Sequence, residues 1–198
     1  ENPEVTLNVD GLVFTNEHNL GKVSIKPSNG GTITYKSGEL KLNLNPNDES
    51  ITIKCDDNAA DNLKLTLNND VSRSLNKQTT VTITSTKKNS VHITSSSELA
   101  SDLKIKVSDN VNDLTIDSVK LTNEGGLSAV KENGNPVQVK VKNLEVKART
   151  DTSLSKVTIS NEFKLTQTAQ VNLKDGVTFG PGSKLSLDLH NLGINGFI

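Results

Sequence analysis

An aliphatic side chain alternating with a polar one, three to five positions at a time, recurs from one end of this chain to the other. Leu40, Leu42 and Leu44 are separated by Lys41 and Asn43, Ile51, Ile53 and Cys55 by Thr52 and Lys54, and Leu103, Ile105 and Val107 by Lys104 and Lys106. Successive side chains of a β-strand point to opposite faces, so this period of two marks a strand that buries one face and wets the other. The phrase returns at Val5 to Val9, Leu63 to Leu67, Val81 to Ile83, Val91 to Ile93, Leu114 to Ile116, Val119 to Leu121, Val137 to Val141 and Leu144 to Ala148. It continues at Val157 to Ile159, Phe163 to Leu165, Ala169 to Leu173, Val177 to Phe179 and Leu185 to Leu189. No segment keeps helical spacing for three turns, and Asn69 to Asn76, with Val71 and Leu75 four apart, is the one place where a short helix or irregular turn is expected. The fold class is therefore all-β. Leu42, Ile53, Leu65, Ile83, Ile93, Ile105, Ile116, Val139, Val171 and Leu187 are expected in the core.

Between the phrases lie short runs of Asn, Asp, Ser and Gly, such as Asn45 to Ser50, Asp56 to Asn62 and Ser108 to Asn110. These residues turn a chain because their side chains bond the nearby backbone and tolerate left-handed conformations. Strands at this spacing suit sandwiches, barrels and solenoids alike. The strands are short and similar, the inward positions are Leu, Ile and Val, and Asn-rich corners suit amides stacked from coil to coil. These features favour a parallel β-helix or solenoid. An antiparallel β-sandwich, or two small ones, is the alternative, because the chain shows no constant period and no glycine at a fixed offset. Residues 1–198 are expected to form a single elongated β domain, a segment of a larger secreted or surface protein.

The phrases Leu103 to Val107, Val137 to Val141 and Ala169 to Leu173, set among Thr, Ser, Asn and Lys with almost no aromatic residues, resemble the β-helical passenger regions of bacterial secreted surface proteins and adhesins. The resemblance is one of composition and spans most of the chain. It implies an elongated coil that displays binding loops or acts as a spacer. The paired glycines Gly30 with Gly31 and Gly125 with Gly126 lack the fixed aspartate of the calcium-binding nonapeptide repeats.

Composition narrows the chemistry. Across 198 residues, 22 Lys and Arg against 23 Asp and Glu leave a net charge of -1, which is no footprint of a nucleic-acid binder. Aromatic residues are 3% and Trp is absent, which argues against a pocket of stacked rings for sugars or bases. Cys55 stands alone, so the chain carries no internal disulfide and no multi-cysteine zinc site. A single Cys and no Met point to an oxidising exterior, and an extracellular or cell-surface location is expected. No apolar run approaches the ~20 residues of a membrane-spanning helix, and no membrane insertion is expected. The chain starts at Glu1 and is expected to be a mature or excised piece. Phe197 and Ile198 are expected to pack into the last coil or under another domain or chain.

Candidate sites follow from residue types. Ser186, Asp188 and His190 share one strand face, but alternate strand residues stand ~6 to 7 Å apart, too far for a nucleophilic relay. A carbohydrate-active enzyme would draw on the corner acids Asp48 with Glu49, Asp56, Asp57 and Asp61, or Asp109 with Asp113, yet only Arg73 and Arg149 exist to clamp an acidic sugar. Asp56, Asp57 and Asp61 are the candidate oxygens for calcium, and no other cofactor is expected. Cys55 falls on an inward beat and reads as a small apolar residue, while His18, His92 and His190 read as surface residues. Lys104, Lys106, Lys140 and Lys142 lie on outward beats and are the candidates for a basic stripe that binds an anionic ligand. Thr32, Thr34, Thr80, Thr82, Thr84 and Thr86 form outward threonine runs that lysines interrupt. The leading functional expectation is a non-enzymatic adhesin or structural module with a cell-surface or extracellular partner such as a glycan. A surface-layer segment, and a β-helical enzyme or tail-spike fragment, are the alternatives.

Overall fold

A computed structural model describes residues 4–7, 11–15, 22–44, 49–56, 58–69, 78–85, 87–122, 125–147, 153–166 and 176–187. Its first strands are β1 (Glu4–Leu7), β2 (Leu12–Phe14), β3 (Val23–Pro27), β4 (Thr32–Tyr35), β5 (Leu40–Leu44), β6 (Ser50–Cys55), β7 (Leu65–Asn69) and β8 (Gln78–Thr84). Next come β9 (Ser90–Leu99), β10 (Asp102–Val107), β11 (Asp113–Thr122), β12 (Gly126–Lys131), β13 (Val139–Lys147) and β14 (Ser153–Leu154). The last are β15 (Val157–Leu165), β16 (Val177–Phe179) and β17 (Lys184–Leu187). There is no helix among the described residues. Residues 70–77, which hold most of the segment expected to form a short helix or turn, lie outside them.

Strands do not pair with their sequence neighbours as hairpins. β1, β3, β5 and β7 form a four-stranded sheet, and the even strands from β2 to β14 form a seven-stranded one. β9, β11, β13 and β15 form a third sheet, with β16 and β17 both on β15. Every ladder between named strands is parallel, which excludes the sandwich and makes the chain a β-solenoid. β9 also lies against β7, where the Leu67 amide donates to Ser97 Oγ and the Glu98 amide to Asn68 Oδ1, so the distal half of β9 continues the four-stranded face.

Alternation becomes a core because each inward residue sits on its counterpart one coil below. Ile33, Ile53 and Ile83 occupy one inward column, and Ile93, Ile116, Val141 and Ile159 another, all essentially inaccessible. Each such side chain contributes roughly 1.5–3 kcal/mol by leaving water. Leu42, Ile53, Leu65, Ile83, Ile93, Ile105, Ile116 and Val139 are buried as expected, as is Cys55. Leu187 corrects the expectation: it is 40% exposed, because among the described residues β17 is an outermost strand with β15 on one side only. Phe179 and Leu185 on the same rung are exposed at 41% and 40% for the same reason. Val171, Phe197 and Ile198 lie outside the described residues.

The corners carry the polar bookkeeping. Asn69, buried at the end of β7, accepts the amides of Ala100 and Ser101 and donates to the Ser101 carbonyl, tying the turn between β9 and β10. Gly125 serves the next turn, where a Cβ would stand 2.2 Å from the Leu99 carbonyl oxygen. Corner amides reach the backbone of neighbouring coils, Asn29 Oδ1 accepting the Ser50 amide and Asn110 Nδ2 donating to the Lys88 carbonyl. Corner length varies widely: Val23 faces Leu40, seventeen residues on, whereas Ser50 faces Thr80, thirty on.

Candidate functional site

The strands of the third sheet do not keep one alternation throughout. Register shifts fall between Ile116 and Ser118 where β11 meets β9, and between Val141 and Asn143 where β13 meets β15. A bulge bends its strand and re-aims the residues beside it. Beyond these bends the side chains line a groove of about 640 Å³ that crosses every odd strand from β3 to β15. At ~4.8 Å per strand its length is on the order of 30 Å.

Two outward columns form the floor. In one, Glu98, Lys120, Glu145 and Lys164 face one another on successive strands. Lys120 Nζ and Lys164 Nζ each stand 4.0 Å from a different oxygen of Glu145. In the other, Ser96, Ser118, Asn143 and Glu162 are in register, Asn161 Nδ2 donates to Asn143 Oδ1 at 2.6 Å, and Ser186 Oγ donates to Glu162 Oε2 at 2.5 Å. Lys22, Lys41, Thr66 and Asn68 extend the lining, with Lys22 Nζ donating to Thr66 Oγ1 at 3.2 Å. Among the described residues no aromatic ring lines the groove. Hydrogen-bond donors and acceptors thus alternate along the column from Glu98 to Lys164, where the charges answer one another.

On the proximal half of the same sheet, His92 Nε2 stands 2.6 Å from Asp117 Oδ1, and Lys142 Nζ 3.2 Å from the same oxygen. An ionised carboxylate only accepts, so Nε2 is the donor. Asp117 falls at the bulge, which is why it turns toward its neighbours. Burial lifts its carboxyl, but the His92 and Lys142 hydrogen bonds outweigh that and hold it below the usual aspartate range. Asp61 receives Lys88 Nζ at 3.0 Å and Ser90 Oγ at 3.1 Å, and the Lys88 bond first, then Ser90, holds it low as well.

The residues singled out from sequence are dispersed. Lys104 and Lys106 lie on β10 in the seven-stranded sheet, whereas Lys140 and Lys142 lie on β13 in the third. The two pairs therefore do not form one stripe. Lys140 and Lys142 instead face Asp113 at 3.8 Å and Asp117 at 3.2 Å. Asp56 Oδ1 accepts the Asn58 amide at 3.4 Å, while Asp61 faces Lys88, so the two described carboxylates of the three in the calcium candidate are engaged with separate partners. Asp57 lies outside the described residues, as do Asp48, Arg73, Thr86, Arg149, Asp188, His18 and His190. Among the described residues no three His, Cys, Asp or Glu side chains converge as a metal site. Asp109 accepts the Asn133 amide at a corner, far along the coil from the groove strands' distal halves.

Sequence reasoning missed Glu98, Glu145, Glu162 and Lys120, as well as the His92 and Asp117 pair. The available signal was the phase skip: Ile116 to Val119 and Val141 to Leu144 step by three instead of two, and the groove residues follow each skip. Comparison of the chain with protein-family models, with curated proteins and with solved structures finds no match.

Proposed function

We propose that the chain is a non-enzymatic secreted or cell-surface module, a spacer whose long groove binds a neutral, polyhydroxylated polymer such as a glycan. The observation that supports this reading is the groove itself. It runs across the strands, it offers donors and acceptors at the strand spacing, and the lysines and glutamates of its central column neutralise one another, so a ligand rich in hydroxyls fits better than a charged one. Ordinary hydrogen bonds repeated along a polymer add up to useful affinity although each contributes only about 0.5–1.5 kcal/mol. The test is titration calorimetry against a panel of soluble neutral polysaccharides. Asn68→Ala with Asn143→Ala is expected to weaken the best binder at least fivefold, with little dependence on salt. Absence of binding to every neutral polymer overturns the reading.

A second reading is supported by one feature. Glu145 and Glu162 lie on adjacent strands of one groove, and glycoside hydrolysis uses two carboxyl groups about 5 to 10 Å apart. Against it, Glu145 is held between two ammonium groups and Glu162 accepts a serine hydroxyl. Reducing-end assays on the same panel decide between the two: turnover that disappears in Glu145→Gln and in Glu162→Gln makes the chain an enzyme.

A further inference from the structure

The open face of the seven-stranded sheet differs from the groove in what stands beside its lysines. One outward column reads Thr32, Thr52, Thr82, Lys106. That column continues to Val130; the next reads Ser50, Thr80, Lys104, Ser128, and a third reads Val13, Thr34, Lys54, Thr84. No carboxylate occupies an interior outward position of these columns. The nearest acids along the strands are Glu49, Asp56 and Glu132, just beyond strand ends, and Asp102, the first residue of β10. Lys54, Lys104 and Lys106 take part in no ion pair among the described residues. Elsewhere on the column Lys88, Lys120, Lys140, Lys142 and Lys164 each face an acid, and the groove lysines without one among the described residues are Lys22, which bonds Thr66, and Lys41, which stands between Ser24 and Thr66, whereas here three such lysines share one face.

From this contrast we infer that the face is a second binding surface, distinct from the groove, and that its ligand is an anionic polysaccharide. Lys104 and Lys106 stand ~7 Å apart along β10, and Lys54 lies two strands away at the ~4.8 Å strand spacing, so the three charges fan diagonally over the sheet. Uncompensated ammonium groups on one face attract a polyanion and repel each other until one arrives. Between them the hydroxyls of Thr80, Thr82 and Thr84 are placed to bond the sugar. A flat, open face suits an extended chain and not a compact molecule. A lipid surface is disfavoured because Val13 and Val130, at the two ends of these columns, are their apolar members, and threonine fills the middle where a membrane-binding face would carry bulky apolar or aromatic side chains.

The experiment measures binding of the purified chain to immobilised dextran sulfate and polygalacturonate, with unmodified dextran as the neutral control, across a salt series. Binding to both acidic polymers, falling as salt rises, is expected. Lys54→Ala, Lys104→Ala and Lys106→Ala together are expected to weaken it at least tenfold, and the three Lys→Arg changes to preserve it. Lys140→Ala, Lys142→Ala and Lys164→Ala remove the same charge from the other sheet and are expected to weaken it less than threefold. Equal losses in the two alanine sets mean attraction by net charge alone and overturn the inference. Failure of the unaltered chain to bind either acidic polymer overturns it too, as does binding confined to phosphatidylglycerol vesicles. Asn68→Ala with Asn143→Ala is expected to leave acidic-polymer binding unchanged, so the groove and this face succeed or fail separately.

Discussion

On the seven-stranded sheet Lys54, Lys104 and Lys106 stand among threonines and serines, whereas along the groove the lysines of the central column alternate with glutamates on neighbouring strands. Both faces are hung on the same kind of inward column, so the core does not dictate the difference. What differs is the residue that each outward position meets one coil above and below. In a parallel stack that neighbour is a residue seventeen to thirty positions away in the chain, and it decides whether a lysine is a structural cation or a free one.

The largest effect is expected where the two faces join. Asn69 satisfies three backbone groups at the turn that carries the chain from β9 on the groove side to β10 on the seven-stranded sheet. Asn69→Leu keeps the volume and removes every bond, and a buried unpaired polar group costs about 1–3 kcal/mol. Urea denaturation is expected to show a loss on the order of 3 kcal/mol, with both faces losing ligand binding together; a loss below ~1 kcal/mol shows that the joint is held by something else.

A smaller effect separates the faces directly. Lys120→Glu places three carboxylates in line with Glu98 and Glu145, and like charges opposite one another on a sheet destabilise it. A loss of about 1 kcal/mol, diminished by salt, is expected. Lys104→Glu meets Thr80 and Ser128 across the strands, with Lys106 and Asp102 along its own, and is expected to stay within about 0.5 kcal/mol. Equal losses in the two variants dissolve the comparison.

The smallest effect is in the pH dependence. Asp117 and Asp61 are held below the ordinary aspartate value in the folded chain, so the unfolded chain takes up a proton first as pH falls. Their contribution is complete above about pH 5 and is lost as pH drops below ~4 and through the folded values. Asp117→Asn is expected to flatten that acid limb in thermal melts from pH 3 to 6. Lys104→Ala with Lys106→Ala, on the face without interior carboxylates, is expected to leave its slope unchanged.

Much of the fold was legible in sequence because burial imposes a period on any exposed strand: Leu42, Ile105 and Val139 are inward for the reason that their neighbours are polar. The pairing was harder to read. Coils seventeen to thirty residues long leave no constant repeat, since the corners absorb the variation while the strands stay in register. The site was less legible still. Lys104 and Lys140 look alike in sequence, each an outward lysine between aliphatic residues, and only the register shows that one meets Thr80 and Ser128 while the other reaches Asp113. The exposed Leu187 carries the same lesson inward, because alternation says which face is apolar but not whether another coil covers it.

Unequal corners also make the coil a natural host for grafted sequence. At the turn after β12, the Lys131 amide bonds the Asn135 carbonyl at 2.8 Å, and Glu132 to Pro136 are exposed. A guest peptide placed between Asn133 and Gly134 enters a loop whose ends are already clamped together. Loop-closure entropy grows only with the logarithm of length, each doubling costing about 0.6 kcal/mol. New epitopes can therefore be gained at such turns, by descent or by engineering, while the stacked strands on either side keep their partners.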